Sequence, residues 1–270
     1  MFKKLFIVAI ALSLILAAGC AGPDATQVEL KTTNQQITQA VQAELDKLDL
    51  DMRNAAAELS RTGLSGDEAR NILAGLAAKY PFIIDNCTTD PAGKMVTIAP
   101  DAYRNYEGTD ISTQDVTVKF MQTKKPMLSQ MFPAVEGMNA VVLMWPIETQ
   151  NAEFAGSMSA LFEPKTMISG ASEPVLRGTD IVIDVFQLDG LDIYDSTGYD
   201  TDKNLFTDPA AQQLTDLIAM GHRMMSEESG SGSYNSIHPQ TQVTVAKQAY
   251  WGTVKLHDTS WRIMCSKVVQ

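Results

Sequence analysis

Three cysteines carry the most distinctive chemistry in this sequence. Cys20 directly follows the small residues 17–19 (Ala-Ala-Gly), whereas Cys87 and Cys265 lie far apart in the rest of the chain. A thiolate can act as a nucleophile or a metal ligand, and two thiols can form a disulfide. Neither Cys87 nor Cys265 has another cysteine or a histidine nearby at metal-ligand spacing. We therefore expect two buried thiols at these positions, with a disulfide between them as the alternative.

The residues before Cys20 have the pattern of a secretory signal. Lys3 and Lys4 precede an apolar run over 5–16 that only Ser13 interrupts, and the small residues follow it. A cysteine at the cleavage point resembles a lipobox, in which the thiol takes up a diacylglycerol. We therefore predict a signal peptide over 1–19 and a lipid anchor on Cys20, which would hold the protein on the extracytoplasmic face of a cell membrane. The alternative is an uncleaved transmembrane helix, but a membrane span needs about 20 apolar residues.

The charge of the chain limits its partners. The 270 residues carry a formal net charge of -11, and the chain from Cys20 onwards has 19 basic and 32 acidic residues. An acidic surface repels phosphate backbones, so we expect no nucleic-acid partner. The same charge argues against a second, electrostatic attachment to anionic lipid.

Motifs for catalysis or cofactor binding are missing from the sequence. The three histidines are scattered, and no Gly-x-Ser-x-Gly elbow or phosphate-binding loop is present. The segment 200–204 imitates the start of a calcium loop, but Leu205 and Ala211 occupy the positions that need a glycine and an acid. We therefore expect no enzyme activity, no metal and no cofactor.

A long amphipathic helix is predicted near the start of the mature chain. Apolar residues recur every three or four positions over 33–61, among them Ile37, Val41, Leu45, Leu48 and Met52. Gly63 ends this helix, and a second helix is predicted up to Lys79. The polar segment 20–32, which contains Pro23, is predicted to be a tether between the lipid and the folded domain.

The rest of the chain repeats one order of elements. Segments 82–162 and 180–269 each read as strand, turn, strand, loop, helix and three strands. Short turns between strands predict antiparallel sheets. The segment 163–175, which has two prolines, is predicted to be a connector. Neither sheet could easily cover both of its faces alone, so we expect the long helix to lie along both.

Short segments in both halves resemble the extracellular double Cache sensor domain in their order and spacing. They are 84–85, 93–96, 103–112, 126–129 and 156–159 in the first half, and 184, 189–190, 203–206, 230–234, 249–251 and 261–262 in the second. The resemblance covers about 33–269 and implies an α+β fold, in which two PAS-like modules with antiparallel sheets stack along one long helix. It implies helices and a membrane-distal module over 33–175, and a membrane-proximal module over 176–270.

The resemblance also implies a ligand pocket in the first module, between the sheet and the loop and helix that follow the second strand. Its predicted wall combines aromatic faces with hydrogen-bonding groups, as small-molecule sites do, and consists of Tyr103, Tyr106, Ser129, Trp145 and Ser157. The alternative is that these residues are ordinary loop and core residues. Amino-acid-binding members carry an Arg and an aromatic on the third strand and an Asp on the fifth. Here the third-strand segment is 127–130 (Met-Leu-Ser-Gln) and Leu161 occupies the place of the Asp, so a zwitterionic ligand is disfavoured.

The expected function is that of a lipid-anchored sensor or binding protein for a small organic molecule. Receptors of the resembled family continue into a membrane helix and a cytoplasmic transmitter, whereas this sequence ends at Gln270 with neither. Since a lipid anchor reaches one leaflet only, we expect a partner membrane receptor or transporter. The alternative is a structural or interaction lipoprotein whose Cache-like scaffold holds no ligand.

Overall fold

The computed structural model describes residues 24–237, 241 and 243–269. The predicted signal peptide and Cys20 lie outside these residues. Within the described ranges, no helix is both long enough and apolar enough to cross a membrane.

Helix α1 (Ala25–Thr62) is a helix of 38 residues that packs against both sheets of the molecule. The side chain of Asp24 accepts a hydrogen bond from the backbone N–H of Thr26 at its start, and Gly63, with φ 92°, caps its end. The predicted tether over 20–32 is therefore wrong from Ala25 onwards. Leu30 is fully buried, and the side chain of Gln27 donates to Gln248 at 3.2 Å, so tertiary contacts extend the helix by two turns beyond the clearest apolar stripe.

The first module is built on an antiparallel sheet with the strand order β2-β1-β6-β5-β3, and β4 pairs with β5 beside it. Helix α2 (Asp67–Lys79) precedes the sheet, and α3 (Asp115–Thr123) lies between the second and third strands. The strands are β1 (Ile83–Thr89), β2 (Met95–Ala99), β3 (Met127–Leu128), β4 (Phe132–Pro133), β5 (Asn139–Glu148) and β6 (Phe154–Phe162).

The second module repeats this arrangement. Its antiparallel sheet has the order β8-β7-β11-β10-β9, which is the same order relative to the start of the module, and α5 (Thr215–Ser226) lies between the second and third strands. The strands are β7 (Val182–Gln187), β8 (Asp192–Asp195), β9 (Gly230–Ile237), β10 (Thr244–Leu256) and β11 (Thr259–Val268). The predicted repeat and the α+β class are confirmed.

Helix α4 (Pro164–Leu176) joins the two modules. The segment 163–175, predicted as a connector, does join the modules, but it forms a helix. Pro164 stands in the first turn, where a missing N–H does no harm, and Pro174 lies near the last turn. Met167 and Ile168 are buried in the cluster that contains the α1 stripe, so packing stabilises the helix despite its two prolines.

One hydrophobic core connects the modules through α1. The apolar stripe of this helix packs against the inner faces of both sheets, including Leu143 and Met158 in the first module and Ile263 in the second. The outer faces carry separate, smaller clusters beneath α3 and α5. The outer faces are therefore where each module can differ without disturbing the shared core.

Candidate functional site

The outer face of the first sheet forms one wall of a small cavity of about 40 Å³. Strand β2 of the same sheet adds Met95 to this wall, and the opposite wall comes from the loop after β2, the start of α3 and the turn between β4 and β5. This is the location that the resemblance implied. The lining includes Asp85 and Cys87 on β1, Met144 on β5, and Ser159 and Leu161 on β6. These residues share one face because side chains alternate along a strand.

Asp85 is the most unusual residue of this wall. Only 1% of it is exposed, and no N–H or hydroxyl group in the described ranges donates a hydrogen bond to its Oδ2 atom. Burial, and then the charge of Glu136 and a hydrogen bond with it, raise the pKa of Asp85 to about 8. A carboxyl group in an apolar strand without a cationic partner is destabilising, which makes Asp85 a functional candidate.

Glu136 reaches the cavity from the turn between β4 and β5. The N–H of Ala134 donates to the carbonyl of Met138 at 2.9 Å, and Gly137 adopts a φ of 86° to close the turn. Glu136 is half-buried, and burial raises its pKa as well. Because two adjacent carboxylates repel each other, Asp85 and Glu136 retain one proton between them near neutral pH. The pair thus presents one negative charge to the cavity.

Cys87 and Ser159 lie side by side below the carboxyl pair, with Sγ and Oγ 3.0 Å apart. Burial, and then the charge of Asp85, raise the pKa of Cys87 to about 12, so the thiol stays protonated and is a poor nucleophile. Cys265 is also buried and free, in the second module. Two buried thiols are therefore confirmed, and the alternative of a disulfide between them is wrong.

Tyr103 and Tyr106 lie next to the cavity without lining it. Their rings stack with centroids 6.5 Å apart and pack against a cluster that includes Cys87, Met95 and Ile111. The pKa of Tyr103 is raised by burial and then by the charges of Asp85 and Glu136, so its phenol lies near the carboxyl pair. A contact with ligand stays a prediction for both tyrosines.

The two predicted serines are used differently. The backbone N–H of Val142 donates to Ser129 Oγ at 2.9 Å, so this hydroxyl continues the pairing between β3 and β5. Ser157 is fully buried on β6, two residues before Ser159, and its Oγ has no partner among the described residues. Neither serine is among the residues that line the cavity, and their proposed contact with ligand stays untested.

Trp145 faces away from the cavity, so its assignment to the pocket wall is wrong. Its Nε1–H donates to Asp49 Oδ1 on α1 at 2.8 Å, and its ring lies edge-on to His257 of the second module, with centroids 6.0 Å apart. Val142 and Met144 on β5 line the cavity, and the alternation of side chains places Trp145 on the opposite face. The tryptophan belongs to the junction of α1 and the two modules.

Asp85 and Glu136 were not among the site residues predicted from the sequence. Asp85 gave a usable signal, because it is a lone acid in the otherwise apolar start of a strand. Glu136 gave none, since the turn that brings it to Asp85 is a product of strand pairing. The cavity as a whole offers carboxyl, hydroxyl and thiol groups, and its lining includes no Lys, Arg or His from the described part of the chain. That set suits hydrogen-bond donors and cations.

Comparisons with known proteins agree with this architecture. Residues 43–164 match the family model described as HK/GC/Chemotaxis protein-like, sensor domain. The fold is that of the Cache-like sensor domains. No curated protein matches the chain.

Solved structures extend the likeness to most of the chain. An extracellular ligand binding receptor from Desulfohalobium retbaense is 28% identical, with a TM-score of 0.73 over 88% of this chain. The match spans about 40% of that receptor's length. The ligand-binding domain of the Pseudomonas aeruginosa amino acid chemoreceptor PctB, solved with L-Arg, is 15% identical, with a TM-score of 0.62 over 90% of this chain and 95% of that one. The periplasmic sensory domain of the Campylobacter jejuni chemoreceptor Tlp1 is 13% identical, with a TM-score of 0.62 over 88% and 93%.

Proposed function

We propose that this protein is an extracytoplasmic sensor or binding protein for a small organic ligand, held on the membrane by lipid on Cys20. The observation that carries the proposal is the buried pair Asp85 and Glu136, which faces a cavity and has no cationic side chain among the lining residues. A buried charge of this kind is destabilising unless a ligand compensates for it. The likeness to an extracellular ligand binding receptor supports the same conclusion.

The ligand of this site is a neutral or cationic molecule with hydrogen-bond donors. The PctB domains were solved with L-Arg and with L-Gln, and a free amino acid carries a carboxylate. In this chain a ligand carboxylate would meet Asp85 and Glu136 without a basic residue to pair with it, and burying an unpaired anion is costly. An amine, a neutral amide or a nucleobase fits the lining better than an organic acid.

Thermal unfolding of the chain from Ala21 onwards, measured against a metabolite library, tests ligand binding. A ligand at a hundred times its dissociation constant adds about 2.7 kcal/mol of stability, which raises Tm by roughly 5–10 °C in a chain of this size. Asp85→Asn should abolish the shift. Asp101→Asn, at an exposed position in the same module, is the matched control and should retain it. No shift with any amine, amide, nucleobase or organic acid would contradict the proposal.

The anchor is tested separately from the ligand. We expect the full chain to be labelled by a palmitate analogue and to partition into detergent, and Cys20→Ser to lose both properties, because the thiol is the attachment point. A Cys20→Ser protein that stays fully membrane-bound would contradict the anchor. Crosslinking on intact membranes should then capture the partner receptor or transporter, since lipid in one leaflet cannot itself carry a signal across.

The small size of the cavity favours one alternative, a scaffold that binds other proteins and no ligand. About 40 Å³ has room for roughly one water molecule, so a larger ligand requires the lining residues to move. The scaffold predicts stable protein partners whose capture is unchanged by Asp85→Asn. The sensor predicts that the metabolite which raises Tm also changes the amount of captured partner.

A further inference from the structure

The second module has a larger cavity than the first, at the equivalent place. It measures about 150 Å³, which is room for roughly five water molecules. It lies between the outer face of the second sheet and the segment that runs from the loop after β8 into α5. Apolar side chains form much of its wall: Phe186, Leu205, Leu214, Leu217 and Met264.

Two buried aspartates in this wall lack the hydrogen-bond partners that a carboxylate requires. Asp184 on β7 is 9% exposed, and burial and nearby charges, with no hydrogen bond among the causes, raise the pKa of its carboxyl group. Asp192 on β8 is 1% exposed. Its Oδ1 accepts from the N–H of Tyr194 at 2.9 Å, and its Oδ2 has no donor within the described ranges. Burial is the main cause that raises the pKa of both carboxyl groups, and each is also affected by acidic neighbours.

The other acidic residues around this cavity already have hydrogen-bond or ion-pair partners. Asp195 accepts hydrogen bonds from the N–H groups of residues 197, 199 and 200. Asp200 forms an ion pair with Lys203 at 2.9 Å. Asp208 accepts from the N–H groups of residues 210 and 211. Asp184 and Asp192 therefore differ from their neighbours in lacking the partners that a buried carboxylate requires.

The nearby lysines do not supply these partners. Lys203 is paired with Asp200, and the ammonium of Lys247 lies 6.0 Å from the ring centroid of Tyr234. Lys247 attracts the charge of Asp184 without a hydrogen bond to it. The four aspartates that line the cavity thus outnumber its two lysines, and the local field favours a cation.

We propose that this cavity is a second ligand site, selective for a small organic cation such as a protonated primary amine, which Asp184 and Asp192 bind. The ammonium donates hydrogen bonds to the two carboxylates, while its alkyl or aryl body contacts the apolar wall. No group of residues that could hold a metal ion is found in the described ranges. Apolar side chains also cannot supply the oxygen ligands that a bare metal ion requires. The site is independent of the ligand site proposed for the first module.

Calorimetry on the chain from Ala21 onwards tests the proposal with probes of matched shape. The probes are 3-methylbutylamine, 3-methylbutanol and 3-methylbutanoate, followed by the primary amines from ethylamine to octylamine. We expect saturable binding of one or more amines, no binding of the alcohol and none of the carboxylate. Binding of all three shapes with equal affinity, or of no amine, would overturn the proposal.

Substitutions locate the binding. Asp184→Asn and Asp192→Asn should each weaken amine binding by about tenfold or more, the loss expected for a charged hydrogen bond. Asp202→Asn removes the same charge at an exposed position in the same module and should leave the affinity unchanged. Both asparagine variants should unfold at a temperature no lower than the parent, because each replaces a carboxyl group whose ionisation burial opposes. With the first site removed by Asp85→Asn, amine binding that survives both variants, or calcium binding that both abolish, would refute the assignment.

Discussion

The two modules have the same strand order but differ in what covers their outer faces. In each, the third residue of the first strand is a buried aspartate that lines a cavity, Asp85 in one and Asp184 in the other. The first cavity measures about 40 Å³, and Met95, Met144 and Leu161 are among the residues that line it. The second, at about 150 Å³, stays open beneath α5. The sheet therefore fixes where an acid is placed, and the covering loops decide how much space it faces.

The partners of the two aspartates differ as well. Asp85 meets Glu136 from a turn, and the pair holds one proton between them. Asp184 meets Asp192 on the adjacent strand, with further acids around them. The first site is suited to a ligand that donates hydrogen bonds to the carboxyl pair. The second site is suited to a ligand that carries a full positive charge.

The largest effect is expected where the modules share their core. Ile37→Ala, on the part of α1 beside the second module, and Met52→Ala, beside the first, should each lower the free energy of unfolding by about 2–5 kcal/mol, because both side chains are fully buried. Denaturant unfolding followed by tryptophan fluorescence and by circular dichroism should give one coincident transition for both variants. Val28→Ala, at an exposed position of the same helix, is the control. Separate transitions for the two modules would contradict a shared core.

A somewhat smaller effect should be confined to the second module. The guanidinium of Arg262 on β11 donates to the carbonyls of Met224 and Met225 and to the hydroxyl of Thr253, and it fastens the end of α5. Arg262→Met should cost about 2–4 kcal/mol, since it leaves these acceptors unpaired. Hydrogen exchange should quicken in α5 and stay unchanged in α3. If hydrogen exchange quickened equally in α3 and α5, the stability of α5 would not be independent of that of α3.

The pH dependence of stability should separate the two acid sites from ordinary surface acids. The pKa of Asp85 and that of Asp184 are both raised to about 8 in the folded state, so the folded protein holds protons that the unfolded chain releases at about pH 4. Stability should therefore fall as pH rises from about 4 to about 8. Asp85→Asn and Asp184→Asn should each reduce this fall, by on the order of 2 kcal/mol.

The controls for this measurement are Asp101→Asn and Asp202→Asn, one exposed acid in each module. Both should leave the slope of stability against pH unchanged. Urea unfolding at several pH values measures the slope. Stability that rises over the same pH range in the parent, and is unaffected by the two buried substitutions, would contradict the assigned protonation states.

The smallest effect is expected at the junction between the modules. Asp49 Oδ1 accepts from Trp145 Nε1 at 2.8 Å and lies 2.7 Å from His257 Nε2. Asp49→Ala should cost about 1–2 kcal/mol, because the indole N–H loses its acceptor in a half-buried site. Asp46→Ala, one turn away and exposed, should stay within about 0.5 kcal/mol of the parent. Chemical denaturation measures both, and equal effects would show that the junction adds no stability.

Much of the fold could be predicted because the spacing of apolar residues along the sequence indicates which side chains are buried. The three- and four-residue spacing of Ile37 to Met52 predicted α1, and the repeated order of strands, turns and helices predicted two equivalent sheets. The predictions failed where local signals opposed tertiary contacts. Prolines suggested a connector where α4 forms, and the polar stretch before Thr33 suggested a tether where α1 begins. Packing against α1 and hydrogen bonds to β10 outweigh these local preferences.

The class of fold, the repeat, the acidic charge and the signal pattern before Cys20 can be read from the sequence, because each depends on composition or short-range spacing. Which side chains meet depends on tertiary packing. It put Trp145 at the helix junction, brought Glu136 to Asp85 across a turn and left Asp184 beside Asp192 beneath α5. The physical reason is that a strand's alternation fixes two opposite faces without saying which one is covered, and by what. That choice is made by the packing of the whole chain.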